Sequence, residues 1–191
     1  MRKLAILTFL TMDGVMQSPS SPDEDRSGDF EGGGWAAPFW QDVMEQVQRE
    51  AMNEPYDMLF GRKTYQLFAG HWPEAEDSGP ARIMNRARKF VATRTMDELT
   101  WSPSEKLSGD LVTEIADLKA SNGPLLQVHG SWQLIQLLAM HNLIDEFRLW
   151  TFPVVAGSGK RLFQETGSLS GFVLKKLEAT QSGVVMSIYD R

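Results

Sequence analysis

Apolar residues run almost without a break from Leu4 to Leu10, as expected of a central strand covered on both faces, and Asp13-Gly14 closes it with a turn signal. Residues 17–34 are polar and rich in Pro, Ser and Gly, with no periodicity. A connection that long is expected to be a lid or binding loop, the alternative being a floppy insertion. From Trp35 the spacing becomes helical, with Val43, Met44, Val47 and Ala51 on one side, and it ends before Pro55. Tyr56–Phe60 reads as a strand that breaks at Gly61 into a second helix beginning Arg62-Lys63-Thr64. His71-Trp72-Pro73 and Ser78-Gly79-Pro80 bound an irregular stretch. Lys89–Thr93 reads as a strand, Leu99–Trp101 as a short one, and 112–121 as a helix stopped by Asn122-Gly123-Pro124. Leu125–Val128 is the next buried strand, and Gly130 opens a helix carrying Leu134, Leu137 and Leu138. A long strand lies within 145–155. Segments 172–180 and 184–189 form a terminal hairpin through Gln181-Ser182-Gly183.

Strands alternating with helices and closed by an antiparallel pair define an α/β fold with a mixed sheet. No internal repeat or linker divides the 191 residues, so residues 1–191 are expected to form one domain. A chain of this length buries on the order of 70% of its unfolded surface without needing staples. It has no cysteine, which excludes disulfides, thiolate metal sites and thiol nucleophiles. His71, His129 and His141 form no HxH or HxxxH pair, so no metal site is expected. A formal charge of -6 argues against a general nucleic-acid partner. No apolar run approaches the roughly 20 residues of a membrane span. The short apolar run after Met1-Arg2-Lys3 lacks a small-residue cleavage site, so the protein is expected in the cytoplasm.

Two junctions share one shape, a short apolar strand, a glycine and the first turn of a helix: Gly61-Arg62-Lys63-Thr64 and Gly130-Ser131-Trp132-Gln133. Free N–H groups and the positive helix end make such places anion sites. Thr93-Arg94, at a third strand end, adds a hydroxyl and a guanidinium. The three together suggest an elongated phosphorylated ligand such as a dinucleotide, outside the carboxyl ends of an open sheet. The alternative is that these are ordinary strand-to-helix turns. Gly157-Ser158-Gly159-Lys160-Arg161 lacks the spacing and the Ser/Thr of a P-loop, there is no GxGxxG after the first strand, and no GxSxG elbow exists. Ser131 reads as a helix N-cap and His129 as a structural histidine. Trp35, Phe39 and Trp40 are either core or the wall of a flat heteroaromatic site. Asp13 is either a turn residue or a carboxylate that meets a ligand's ring N–H.

In this order, Thr11-Met12-Asp13-Gly14, Leu59-Phe60-Gly61-Arg62-Lys63-Thr64-Tyr65, Val91-Ala92-Thr93-Arg94-Thr95, Val128-His129-Gly130-Ser131 and the stretch from Leu143 to Phe163 resemble the dihydrofolate reductase-like superfamily. The branch most similar is the RibD C-terminal (riboflavin biosynthesis reductase) domain, here without a fused deaminase. The resemblance spans the chain and implies a three-layer fold, a mostly parallel central sheet with helices on both faces, and NADPH as hydride donor. It places Gly61, Arg62, Lys63 and Thr64 on the diphosphate and adenosine side, Thr93 and Arg94 near the 2′-phosphate, and Gly130, Ser131, Trp132 and Gln133 over the diphosphate. Asp13 becomes the candidate catalytic and substrate-binding acid, with Trp35, Phe39 and Trp40 also at the substrate. Folate reductases carry a carboxylate early on the first helix. Here Trp35 is followed by Ala36-Ala37-Pro38-Phe39-Trp40 and the first acid is Asp42. Lys160 and Arg161 are candidates for a ribosyl phosphate. The implied activity is hydride transfer to a small heterocyclic or carbonyl substrate, of the 5-amino-6-(5-phosphoribosylamino)uracil reductase or dihydrofolate reductase type. The other reading is an NADP(H)-binding sensor or scaffold without turnover. A homodimer is expected, through the last strands or the strand within 147–155.

Overall fold

A computed structural model describes residues 1–164 and 170–191. Along the chain these form β1 (Leu4–Thr11), α1 (Trp40–Ala51), β2 (Tyr56–Gly61), α2 (Arg62–Ala69), α3 (Gly79–Arg86), β3 (Lys89–Ala92) and β4 (Ser104–Leu107). They continue as α4 (Leu111–Ala120), β5 (Leu125–His129), α5 (Trp132–Met140), β6 (Glu146–Phe152), β7 (Val173–Ala179) and β8 (Val185–Asp190). All eight strands make one sheet in the order β4-β3-β2-β5-β1-β6-β8-β7. The first six in that order are mutually parallel, and the C-terminal hairpin adds to β6 antiparallel. No helix among the described residues is long and apolar enough to cross a membrane.

β1 sits centrally because both its faces are apolar and both are used. Leu4, Ile6 and Leu10 pack with Leu134, Ile135 and Leu138 of α5 and with Ile115 of α4. Leu7, on the other face, packs with Val43, Val47 and Ala51 of α1 and with Trp150 and Phe152 of β6. A third cluster, including Met58, Phe60, Tyr65, Met84 and Val91, seats α2 and α3 beside α1. Side chains from the sheet hold the end of α1 in place. Gln127 Nε2 donates to the Ala51 carbonyl at 2.6 Å and Arg148 Nη1 to the Glu50 carbonyl at 2.9 Å, satisfying carbonyls that a helix end leaves open.

Two expectations change. The segment after Ser78 is helix, because Ser78 Oγ accepts the Ala81 N–H at 3.3 Å and Pro80 sits in the first turn, where its missing N–H costs nothing. No strand forms at Leu99–Trp101. Trp101 is instead buried against Phe60 and Tyr65, and the edge strand is Ser104–Leu107.

Candidate active site

Because β1, β2, β3 and β5 run parallel, their carboxyl ends reach one edge of the sheet. There a cleft of about 1380 Å³ opens between α1 and α2 and extends over the starts of α2 and α5. That volume exceeds the roughly 300–1,000 Å³ typical of a single small-ligand pocket.

Its polar half is built from the three strand ends. Gly130 and Ser131 both have left-handed backbones (φ +57° and +58°), which turns the chain sharply from β5 into α5. For Ser131 that conformation is uncommon, and two hydrogen bonds to the neighbouring junction secure it. Ser131 Oγ accepts the Gly61 N–H at 2.9 Å, and the Ser131 N–H donates to Thr64 Oγ1 at 3.1 Å. Ser131 therefore ties the two junctions together rather than capping α5 with its side chain. The first-turn N–H groups of α2 and α5 have no acceptor within their own helices, and both helices start at the cleft. Thr93 is buried, and its hydroxyl oxygen accepts from the N–H groups of Thr95 and Met96. This shapes a turn with the exposed Arg94 at its crest. Arg62 is exposed and its Nη1 reaches Gln66 at 3.3 Å. Thus Gly61, Arg62, Lys63, Thr64, Thr93, Arg94, Gly130, Ser131, Trp132 and Gln133 all line one cleft.

Loop 17–34 forms the rim of the cleft through Gln17, Ser18, Glu24, Asp25 and Ser27. Gln17 Nε2 donates to the carbonyls of Asp25 and Ser27, and its Oε1 accepts the Lys160 N–H at 3.0 Å. Lys160 Nζ bonds the Asp25 carboxylate and the Ser27 hydroxyl and lies 5.6 Å from the centre of the Trp132 ring. Lys63 Nζ is 3.8 Å from Asp25. Burial alone would raise the Asp25 carboxyl. The hydrogen bonds from Lys160 and Ser27 and the charge of Lys160 outweigh it and hold the group at about 2. Glu24 goes the other way, raised by burial although Ser20 N–H donates to it at 2.9 Å.

The other half is apolar. Leu7 and Phe9 form the floor, Trp40, Met44, Val47 and Met52 one wall, and Leu67, Phe68 and Trp72 the other. His129 lies among them, with its ring 5.9 Å from Phe68 and 6.3 Å from both Tyr56 and Phe60. Burial, with the nearby Arg148 charge, lowers its pKa to about 4. Its Nε2 is buried and has no hydrogen-bond partner.

The expected substrate residues separate here. Trp40 lines the cleft, but Trp35 and Phe39 do not. Trp35 Nε1 donates to the Gln17 carbonyl at 2.8 Å, and both rings pack edge-on against Phe152, at 5.3 and 5.6 Å. They are core that seats the loop. Asp13 is likewise absent from the cleft lining. It accepts from the Thr11 hydroxyl (2.7 Å), from the Ala156 and Gly157 N–H groups (3.0 and 2.9 Å) and from Arg161 (3.3 Å). The Thr11 and Ala156 bonds, more than any others, hold its carboxyl far below the usual range. A carboxylate so occupied is a poor proton donor, and in this structure it joins β1 to the chain after β6. Arg161 is committed to Asp13, whereas Lys160 stands on the cleft. Asp42, the first acid of α1, accepts the Ser182 N–H at 3.0 Å and sends no carboxylate into the apolar chamber. Glu24 and Asp25 gave no signal in the sequence, because a polar loop reveals no face until it is folded against one.

The cleft lies at the carboxyl edge of a mixed α/β sheet, and the fold is that of the RibD-like reductases. The chain belongs to the RibD C-terminal domain family, whose profile matches residues 2–186. It is 28% identical to the uncharacterised protein YyaP of Bacillus subtilis (strain 168) over 142 residues, which cover 72% of this chain and 75% of YyaP. Its fold is similar to that of a protein from Shewanella sp. PV-4 whose name associates it with riboflavin biosynthesis. There the TM-score is 0.66 and the identity 21%, across 99% of this chain and 98% of that one. A pyrimidine reductase-like protein from Corynebacterium diphtheriae is similar at a TM-score of 0.57 and 10% identity, across 99% and 91% of the two chains.

Proposed function

We propose that the protein is an NADPH-dependent reductase acting on a small heterocyclic or carbonyl substrate. The observation that carries this reading is the cross-linked pair of strand-to-helix junctions, opening onto an apolar chamber within the same cleft. The donor set suits the cofactor. The helix-start N–H groups of Arg62, Lys63 and Thr64 and of Trp132 and Gln133 suit a diphosphate, while those of Gly61 and Ser131 are spent on joining the two junctions, and exposed Arg62 and Arg94 suit a 2′-phosphate. When bound, the nicotinamide supplies the hydride at its C4.

The remaining work belongs to the chain. Leu7, Phe9, Trp40, Phe68 and Trp72 would hold a flat ring and exclude water from it. His129, neutral at pH 7, supplies hydrogen bonding without a charge. Of the two carboxyl groups among the described residues of the cleft, Asp25 is held ionised by Lys160. Burial raises the Glu24 carboxyl above its ordinary value, and Glu24 sits on the loop that rims the cleft. One observation favours a second reading, NADP(H) binding without turnover: α1 places no carboxylate in the chamber to hold a substrate ring.

Titration with NADPH and NADH, followed by nicotinamide fluorescence, tests the proposal. NADPH should bind tighter than NADH, and Arg62→Ala and Arg94→Ala should each weaken NADPH about tenfold or more while leaving NADH nearly unchanged, as expected of a charge-assisted contact of about 1.5–3 kcal/mol. If neither NADPH nor NADH bound, the reductase reading would be removed. Binding without oxidation of NADPH across dihydrofolate, pyrimidine ribosyl phosphates and simple carbonyls would favour the second reading.

A further inference from the structure

The two halves of the cleft differ in charge as well as in shape. Among the described residues, its cations are Arg62, Lys63, Arg94 and Lys160, with His71 exposed beside Trp72. The two arginines and Lys63 stand at the strand ends. Lys160 belongs with them, because its Nζ lies 5.6 Å from the Trp132 ring at the start of α5. It also shares the Asp25 carboxylate with Lys63, at the start of α2. Arg148, whose charge acts on His129, does not line the cleft and is engaged by Glu54 at 2.8 Å and Glu146 at 2.5 Å. The chamber between α1 and α2 is made otherwise. Phe9, Trp40, Phe68 and Trp72 give it ring faces and Met44 and Met52 give it thioethers, while its polar side chains are Gln48 and the neutral His129. The carboxyl groups of the cleft stand on loop 17–34, where Asp25 is held by Lys160 and Glu24 accepts the Ser20 N–H.

Building on the reductase reading, we propose that the substrate is an uncharged aromatic carbonyl compound, a ketone or aldehyde on a flat ring that carries neither phosphate nor carboxylate. An anionic group on a ring in the chamber would leave water without a cation to meet it, and such a burial costs far more than the ring returns. A flat neutral body instead finds four aromatic side chains for its faces and edges, and methionines that adapt to its outline. A carbonyl suits the site better than a C=N group, which accepts hydride as a protonated cation and needs a carboxylate facing it. Asp42 is bound to Ser182, Asp25 to Lys160, and burial disfavours the ionised form of Glu24. In the reaction the C=O π bond opens, its carbon gains the hydride of NADPH and its oxygen a proton from solvent, giving the alcohol and NADP+. The ring compound is uncharged before and after. Lys160 then serves the loop and the cofactor's end of the cleft rather than a substrate phosphate.

A matched pair of ligands tests this: 2-acetylnaphthalene, and 6-acetyl-2-naphthoate, which adds a carboxylate to the same ring and ketone. Each is titrated into the protein alone and into its NADP+ complex, following tryptophan fluorescence, because Trp40 and Trp72 wall the chamber. Oxidation of NADPH with each is then followed by absorbance. The neutral ketone should bind about tenfold tighter or more, and be reduced with a kcat/KM larger by a similar factor. Leu67→Arg, at a wall position 51% exposed, introduces a cation and should tighten the carboxylate several-fold. Equal or tighter binding of the carboxylate by wild type, no binding of either ketone, or no gain in Leu67→Arg would each overturn the proposal. So would a pyrimidine ribosyl phosphate that binds tighter than its dephosphorylated form and is weakened by Lys160→Gln. A neutral ketone that binds but is not reduced by bound NADPH would overturn the substrate assignment while leaving nucleotide binding in place. The fluorescence titration needs no nucleotide, so a protein that binds neither NADPH nor NADH loses the reductase reading separately from the chamber's preference.

Discussion

Burial keeps the His129 imidazole neutral and lowers its pKa to about 4, against an ordinary 6.5, and this gives its effect on stability a definite sign. Between those values the unfolded chain takes up a proton that the folded one refuses, so stability falls as pH drops from 6.5 toward 4. His129→Phe, which keeps an aromatic ring among Tyr56, Phe60 and Phe68, should flatten that part of the curve. Thermal unfolding of both proteins across the range would show it, and equal slopes would mean that the ring is solvated. Ser131 and Asp13 show what the sequence could not carry at this scale. The glycine junctions were legible because backbone shape there depends on neighbours in the chain. The bond from Gly61 N–H to Ser131 Oγ joins residues 70 apart, and the bond from Ala156 N–H to Asp13 joins residues 143 apart. Local pattern holds no trace of such partners, so a turn aspartate and a ligand-binding one look alike.

Among the elements, the strands were legible where burial on both faces left continuous apolar runs, as in β1, β2 and β5. α3 was hidden because Gly79-Pro80 resembles a breaker, while its start depends on the Ser78 cap. β4 was hidden because its Ser104-Glu105-Lys106-Leu107 is mostly polar, as an exposed edge permits. Loop 17–34, expected as a lid or binding loop or else a floppy insertion, is held down by its own side chains, with Asp25 as the link to Lys160 and Lys63. Asp25→Asn should therefore loosen it, and trypsin should cut after Arg26 several-fold faster than in wild type. The stability cost should stay within about 1 kcal/mol, because the pair is partly solvated. The wild-type latch should weaken as pH falls from about 4 to about 2, where Asp25 gains its proton. An unchanged trypsin rate would assign the loop's order to Trp35 and Gln17 instead.

At the scale of the molecule, the cleft straddles the carboxyl edge of the sheet, with Leu7 and Phe9 beneath α1 on one face and Leu134 and Leu137 of α5 on the other. A ligand that binds only the folded state at one hundred times its Kd adds about 2.7 kcal/mol. For a chain of 191 residues each kcal/mol moves Tm by about 2–4 °C. NADPH at that level should raise Tm by on the order of 5–10 °C, and NADH at the same concentration by clearly less. No shift with either nucleotide would set aside the reductase reading.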